Sequence, residues 1–312
     1  MVASASGVRS IRGTWAMMHS RLLVQFLAAA ERLNITAAAD VLNITQPALT
    51  RSIKQLEAII GVTLFERLPT GVALTRQGEI LARRVKLMEL EYRHALAEIA
   101  SFEQGLTGKL RIGAGPVWIT TILAPVVAKF CSQYPKVSVR LTGGVITTLV
   151  PALIAGEVDM ICTTLDFPSQ AEIVKEPLIK VRHDVVAREG HPLFKRRVVT
   201  AKDLSKYPWL VLANDQIGTS RIGSYFVANS LEPPTIAVET TSLGLYKILC
   251  EGDFLAHFPD RMVADAKKYG LRKVSHEGTF WEAEAGVAYR RTNHPIRSVE
   301  SFKAILRAAL ST

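Results

Sequence analysis

Apolar side chains recur every three or four residues near the start of the chain, which is the spacing of helices that face a core. This spacing predicts helices over 21–33, 36–42 and 46–60. Asn34 and Thr45 are of the type that caps a helix start, and Gly61 can end a helix in a left-handed conformation. The third predicted helix carries polar and basic side chains on its other face, as the second helix of a helix-turn-helix does.

The next segment predicts a wing and a long helix. Short β-type stretches at 62–65 and 72–74 flank the turn-forming residues 68–71. Between 75 and 104 there is one glycine and no proline, so one helix of about 28 residues fits. Its apolar residues follow the alternating four-and-three spacing of a dimerising coiled coil, at Leu81, Val85, Met88, Tyr92, Ala95, Ile99 and Phe102. A helix packed on its own core would also have an apolar stripe, but the charged flanks favour dimerisation.

Beyond residue 108 the pattern changes to strands that alternate with helices, which is typical of parallel βαβ units. The predicted strands lie at 110–113, 137–141, 158–162, 181–187, 209–212, 236–238, 255–257 and 285–289. The predicted helices lie at 118–134, 146–155 and 299–310. We therefore expect an open α/β domain of two lobes in this part of the chain.

These patterns divide the 312 residues into successive segments. We expect a loose leader (1–16), a winged helix-turn-helix domain (17–76), a linker helix (77–104), a hinge (105–108) and an α/β domain (109–312). Lobe I of that last domain would comprise about 109–182 and 286–312, and lobe II about 183–285.

Composition narrows the function classes. The net charge is +10, which suits a polyanionic partner such as nucleic acid, and 48% hydrophobic residues exclude a disordered chain. The longest uncharged stretch, 112–128, is interrupted by glycine and proline and is too short for a membrane span, and no secretory signal precedes it. The three cysteines are far apart and form no metal or dithiol pattern. We expect a cytoplasmic protein without metal, cofactor, membrane partner or catalytic constellation.

The N-terminal motifs are dense and in a recognisable order. Residues 26–76, with Ala38-Ala39, Thr45-Gln-Pro-Ala-Leu-Thr-Arg51, Leu64-Phe65-Glu-Arg67 and Leu74-Thr75 followed by Gly78, resemble the winged helix-turn-helix of LysR-type transcriptional regulators. The downstream layout resembles that family as well. The resemblance implies an α/β fold overall, with a two-lobed effector domain like a type 2 periplasmic binding protein. It also implies a cytoplasmic homodimer or homotetramer whose partners are double-stranded DNA, a small-molecule effector and RNA polymerase.

In such a motif the first turns of the third helix would face DNA. Gln46 can pair with adenine and Arg51 with guanine, while Pro47 and Thr50 can pack on a thymine methyl group. We expect the remaining DNA-binding residues to hold the helix and the phosphates, namely Thr36, Thr45, Lys54 and Arg67. The alternative is an ordinary solvated helix face.

Ligands of open α/β sheets bind beyond the carboxyl ends of the strands, beside helix N-termini. The effector-binding candidates at such places are Gly115, Pro116, Val117, Trp118, Thr142, Gly143, Thr163, Thr164, Ile217, Gly218 and Thr219. Small residues and hydroxyls there suit a small polar or carboxylate-bearing metabolite, and each could also be an ordinary turn residue. Two other classes stay open: a solute-binding protein whose N-terminal module docks a protein partner, and an α/β enzyme.

Overall fold

The structure, a computed structural model, describes residues 21–69, 71–104, 106–277, 280–292 and 296–311. The predicted leader therefore lies outside the described residues. The chain forms two compact units, Met1–Gly105 and Leu106–Thr312. Across the described ranges, no helix combines the length and the apolar character that crossing a bilayer requires.

Three helices open the N-terminal unit, close to their predicted positions. They are α1 (Arg21–Arg32), α2 (Ile35–Leu42) and α3 (Gln46–Ile60). The side chain of Asn34 accepts a hydrogen bond from the backbone N–H of Ala37 at 3.0 Å, and that of Thr45 from Ala48 at 3.4 Å. Gly61 ends α3 with a φ of 79°. The predicted caps are thus confirmed.

The wing differs from its prediction in one strand. Strand β1 is Phe65–Leu68 rather than 62–65, and it pairs antiparallel with β2 (Gly71–Leu74). Glu57 explains the shift, because its carboxylate accepts the backbone N–H groups of Leu64 and Phe65 at 2.7 and 3.3 Å and ties the preceding loop to α3. Strand β1 begins at Phe65, the last residue of that contact.

The core of this unit joins the helices to the wing and to the long helix α4 (Arg76–Gln104). One cluster contains Ala29, Ala38, Ala39, Leu49 and Ile53, which lie on α1, α2 and α3. A second contains Phe26, Leu56 and Leu64, with Leu81 packed against it. Small alanines on α2 allow α1 and α3 to approach it closely, and this arrangement fixes the exposed face of α3.

A seven-stranded mixed sheet organises the second unit. Its strands are β3 (Gly108–Ala114), β4 (Val137–Gly143), β5 (Met160–Thr164), β6 (Ile173–Arg188), β9 (Ala256–Pro259), β10 (Leu271–Lys273) and β11 (Trp281–Arg290). The order is β10-β6-β11-β5-β3-β4, with β9 paired to β6. Among the described strands of this sheet, β3 pairs parallel with β4 and β5, as expected for βαβ units, whereas β6, β9, β10 and β11 pair antiparallel.

The antiparallel part arises from two long strands. β6 has 16 residues and β11 has 10, and they pair from Ile173–Arg290 to His183–Trp281. Both proposed lobe boundaries, near 182 and 285, fall inside these strands. The α/β domain is two-lobed with a sheet that continues between the lobes, and a separate parallel pair, β7 (Trp209–Leu212) and β8 (Ile236–Thr240), belongs to the second lobe.

Helices flank this framework. They are α5 (Leu123–Gln133), α6 (Ile146–Ile154), α7 (Ala201–Leu204), α8 (Gln216–Ala228), α9 (Ser242–Glu251), α10 (Asp260–Ala266) and α11 (Arg297–Leu310). The predicted helix over 118–134 is divided into a π-helical turn, Trp118–Ile122, followed by α5. Pro125 accounts for the division, because a residue without an N–H fits the first turn of a new helix better than the interior of a longer one.

Candidate DNA-binding surface and effector cleft

Helix α3 exposes the side chains that were predicted to face DNA. Gln46, Pro47, Arg51 and Lys54 are exposed, and Thr50 is half-buried. Their spacing places them on one side of the helix, opposite Leu49, Ile53 and Leu56, which are buried. The amide of Gln46 donates to the hydroxyl of Thr50 at 3.0 Å, so these two side chains contact each other on this face.

A surface depression of about 500 Å³ gathers five of the predicted contacts. It is lined by Thr36 on α2, by Gln46, Thr50 and Lys54 on α3, and by Arg67 on the wing. Thr45, Pro47 and Arg51 lie outside it, and the hydroxyl of Thr45 is engaged as the helix cap. In the described part of the chain, Arg51, Lys54 and Arg67 form no ion pair. Their positive charges are therefore free for an external anion.

The predicted seam on α4 has two kinds of position. Leu81 packs on the core of its own unit, and Val85 is buried. Met88 and Ile99 are 44% and 66% exposed, Ala95 is exposed and Tyr92 half-buried. The side chain of Phe102 lies outside the described residues. The intrachain alternative thus holds for Leu81, whereas the later positions leave an apolar surface on the helix.

A cleft of about 160 Å³ lies within the second unit, beyond the carboxyl ends of the parallel strands. Eight predicted residues line it: Gly115, Pro116, Val117, Trp118, Thr163, Thr164, Ile217 and Gly218. Ile217 and Gly218 lie inside the first turn of α8 rather than before it, and Thr163 and Thr164 end β5 rather than follow it.

Three predicted cleft residues are not in its lining. Strand β4 extends to Gly143, so Thr142 pairs with Gly113 inside the sheet and Gly144 and Val145 line the cleft instead. The hydroxyl of Thr219 donates to the backbone carbonyl of Asp215 at 2.9 Å, which engages it with its own helix. Gly144 and Val145 thus take the places predicted for Thr142 and Gly143, because β4 ends two residues later than predicted, at Gly143.

The aromatic wall of the cleft was missed by sequence reasoning. His183 on β6 pairs in register with Trp281 on β11 on one side and with Pro259 on β9 on the other. His257 on β9 is opposite Val185, so it lies diagonally from His183, within reach of a ring. No local motif signals this group, since it arises only when three strands far apart in sequence pair with one another.

The two histidines and the carboxylate of Asp215 form a row of successive polar contacts. The Nδ1 atoms of His183 and His257 are 3.1 Å apart, and His257 Nε2 lies 3.5 Å from an oxygen of Asp215. The ring of His183 is stacked on Trp281 at 3.8 Å between centroids. Burial, helped by the nearby His257, lowers the pKa of His183 well below 6.5, so this ring is neutral near pH 7.

Asp215 lies at the end of this row, next to His257. Its carboxylate caps α8 by accepting the backbone N–H of Gly218 at 2.9 Å. Burial disfavours its charge, but the hydrogen bond and charge of His257 and the N–H of Gly218 outweigh that cost and lower the pKa of Asp215. A Cβ on Gly218 would lie 2.3 Å from Asp215 Oδ2 and 2.7 Å from His257 Nε2, so this contact requires glycine.

The comparisons with known proteins place both units in one family. The LysR substrate binding domain matches residues 103–311, and the helix-turn-helix of bacterial regulatory proteins of the lysR family matches residues 20–79. The chain belongs to the LysR family. It is a LysR-type DNA-binding transcriptional regulator with an effector-binding domain.

Relatives and solved structures agree with this assignment. The LysR-family chain is 30% identical over 245 residues to the HTH-type transcriptional regulator GbpR of Rhizobium radiobacter, which covers 77% of this chain and 80% of GbpR. It is 27% identical over 265 residues to the regulator GalR of Pseudomonas putida, covering 82% and 66% of the two chains. The crystal structure of full-length CbnR complexed with its target DNA has the same fold, with a TM-score of 0.66 at 21% identity, covering 94% of this chain and 100% of CbnR.

In this LysR-family regulator the two matched regions contain the two candidate sites. The helix-turn-helix match includes every predicted DNA contact from Thr36 to Arg67, and the substrate-binding match includes the whole lining of the cleft.

Proposed function

We propose that this regulator reads a specific DNA sequence with α3 and changes its output when a small effector enters the cleft. The observation that carries the proposal is the exposed face of α3, whose basic side chains form no ion pair among the described residues. Gln46 and Arg51 would donate to adenine and guanine edges, and Pro47 and Thr50 would contact a thymine methyl group. Thr36, Lys54 and Arg67, together with the α3 start capped by Thr45, would hold the phosphates.

A homodimer formed along α4 would present two such faces. Because two-fold symmetry of the protein requires two-fold symmetry of its site, the operator would be an interrupted dyad. The exposed Met88 and Ile99 support this seam, since large apolar side chains on a long helix gain by burial against a second copy. Further contacts would build a homotetramer, and RNA polymerase would be the partner that receives the signal.

The cleft would take a small polar or carboxylate-bearing metabolite without converting it. Trp118 lines the cleft, and its indole N–H is buried without a hydrogen-bond partner among the described residues. An unpaired buried donor costs about 1–3 kcal/mol, and an oxygen of the effector would recover much of this. Asp215 makes the start of α8 unfavourable for an anion, so the carboxylate would lie on the side of Trp118, Thr163 and Thr164.

Switching requires that the effector bind one arrangement of the lobes better than another. Two contacts join segments on the two sides of the cleft: the hydroxyl of Thr147 donates to the carbonyl of Asn214, and Arg221 pairs with Asp166. Both join the lobe of the parallel strands to the region of α8. An effector that adds contacts on both sides would favour the arrangement in which these two pairs are made.

Titrations of the wild-type chain on its selected operator and on scrambled duplex, at two salt concentrations, test this proposal. Arg51→Ala should cost about 1–3 kcal/mol on the operator and blur preference at one base pair, whereas Lys54→Ala should weaken both duplexes alike and flatten the salt dependence. Lys202→Ala, an exposed lysine of the second unit, is the matched control and should change neither. Unchanged operator affinity of Arg51→Ala would remove Arg51 from the residues that read the sequence.

A further inference from the structure

Four described residues in the lining of the effector cleft can gain or lose a proton, namely His183, Asp215, Tyr246 and His257. Burial raises the pKa of Tyr246 to about 12, and burial with the nearby His257 lowers the pKa of His183 well below 6.5, so both are uncharged near pH 7. Burial disfavours the charge of Asp215, but His257 and the N–H of Gly218 outweigh it and lower its pKa, so this carboxylate is ionised. The formal charge of the lining therefore depends on Asp215 and His257.

The lining offers no unpaired positive charge, whichever protonation state His257 has. If this ring is neutral, the ionised Asp215 leaves the lining with a single negative charge. If the ring is protonated, its Nε2 lies 3.5 Å from a carboxylate oxygen of Asp215, so the two opposite charges pair and cancel. Among the described lining residues there is no lysine or arginine. Arg221 on α8 lies outside the lining and pairs with Asp166.

The helix starts beside the cleft do not supply the missing charge. At the start of α8, the N–H of Gly218 already donates to the carboxylate of Asp215 at 2.9 Å. At the π-helical turn, the N–H groups of Trp118 and Ile119 donate to the carbonyl of Gly115 at 3.1 and 3.2 Å. The start of α6 also borders the cleft, but a helix N-terminus carries roughly half an elementary charge and cannot compensate a full one.

The cavity itself is small and mostly apolar. Its volume of about 160 Å³ is close to the roughly 150 Å³ of an engineered apolar cavity that binds benzene. Its wall includes the aromatic rings of Trp281, Tyr246 and Phe258 and the aliphatic side chains of Val211 and Leu212. A flat ring suits such a wall. A carboxylate that leaves water for these surroundings loses its hydration without gaining a counter-ion, whereas an uncharged polar group loses much less.

We propose that the cleft takes an uncharged single-ring compound and rejects a carboxylate of the same size. The inference rests on the proposed function of the cleft and decides between its two effector classes, small polar and carboxylate-bearing. The hydroxyls of Thr163 and Thr164 are neutral donors in the lining, so they serve the carbonyl of an amide as well as they serve a carboxylate. An uncharged carbonyl there needs no counter-ion.

Benzamide and benzoate are the probes, because they have the same ring and nearly the same shape but only benzoate is charged at pH 7. Calorimetric titration of the full-length wild-type chain should give benzamide an affinity about a hundredfold higher, since an uncompensated charge costs far more to bury than a neutral amide. An equal or higher affinity for benzoate would overturn the inference. So would the absence of saturable benzamide binding at millimolar concentration.

Thr120→Lys tests whether charge sets this preference. Thr120 is an exposed residue of the lining, and its hydroxyl donates to the carbonyl of Pro116 in its own turn at 2.9 Å, so its replacement leaves the core intact. The added ammonium group should raise the affinity for benzoate about tenfold and leave that for benzamide nearly unchanged.

Thr120→Met is the matched control, because methionine is of similar length but carries no charge. Both variants lose the same hydroxyl, so the ratio of the two affinities should stay as in the wild type for Thr120→Met and narrow for Thr120→Lys alone. Equal ratios in the two variants would overturn the inference. These titrations contain no DNA, whereas the proposed function fails if the wild-type chain does not prefer its operator to scrambled duplex, so the two failures are distinguishable.

Discussion

The two units use their basic side chains in opposite ways. In the N-terminal unit Arg51, Lys54 and Arg67 form no ion pair within the described ranges, and their surface is open. In the second unit Arg111 is 2.8 Å from the buried Asp159, and Lys303, 3% exposed, lies between Glu176 and Glu300. The basic side chains behind the net charge of +10 therefore have two uses. Some are free to bind a partner, and others pair with carboxylates and stabilise the fold.

This contrast predicts the largest effect at Asp159. Asp159→Ala leaves Arg111, whose side chain is 12% exposed, as an uncompensated buried charge and should lower the free energy of unfolding of the second unit by about 3–5 kcal/mol. Urea denaturation measures the change. Asp253→Ala is the control, because its partner Arg188 is 33% exposed and the pair should contribute less than about 1 kcal/mol. Equal effects of the two substitutions would show that the buried Arg111–Asp159 pair stabilises the fold no more than the exposed Arg188–Asp253 pair.

The next largest effect concerns the apolar surface of α4. Ile99→Asn places an amide in the proposed seam of both copies at once, and losing about 1.5 kcal/mol per copy should raise the dimer dissociation constant about a hundredfold. Sedimentation equilibrium measures it. Ile80→Asn changes an equally large exposed side chain outside the predicted seam and should leave the dimer intact. A dimer that tolerates Ile99→Asn as well as Ile80→Asn would place the interface elsewhere.

A smaller effect is expected at the start of α3. Thr45→Ala removes the hydroxyl that accepts from Ala48 and should destabilise the N-terminal unit by about 1 kcal/mol. Thermal unfolding followed by circular dichroism detects this loss. Thr45→Ser retains the oxygen and should unfold like the wild type, so a serine variant as unstable as the alanine variant would mean that the cap does not stabilise α3.

The smallest expected change is in stability at Arg51. Because this side chain has no partner among the described residues, Arg51→Ala should alter the free energy of unfolding by no more than about 0.5 kcal/mol, even though it weakens operator binding. Denaturation and DNA titration on the same preparation separate the two effects. A loss of stability that matched the loss of binding would make Arg51 a structural residue.

The same two regions differ in how far the sequence could predict them. The bounds of α3 follow from neighbouring residues, because Thr45, Pro47 and Gly61 act on the helix in which they lie. The shift of β1 does not, since it depends on Glu57 reaching from α3 to Leu64 and Phe65. Sequence patterns therefore predict the bounds of an element where residues within that element set them, and fail where a residue from elsewhere does.

The cleft shows most clearly which residues the sequence could predict and which it could not. Eight of its lining residues end or follow strands or begin helices, so a rule about strand ends found them. His183, His257 and Trp281 meet only through the register of β6, β9 and β11, and alternation along any one strand could not predict that register. Only Asp215 carried a local signal, as an aspartate three residues before Gly218 at a helix start.

Hydroxyl-radical footprinting of the operator by the full-length protein tests the central claim most directly. A dimer that inserts two copies of α3 should protect two half-sites on one face of the duplex, about one helical turn or a multiple of it apart, and Arg51→Ala should weaken both equally. One continuous protected segment, or protection that Arg51→Ala leaves unchanged, would contradict the account.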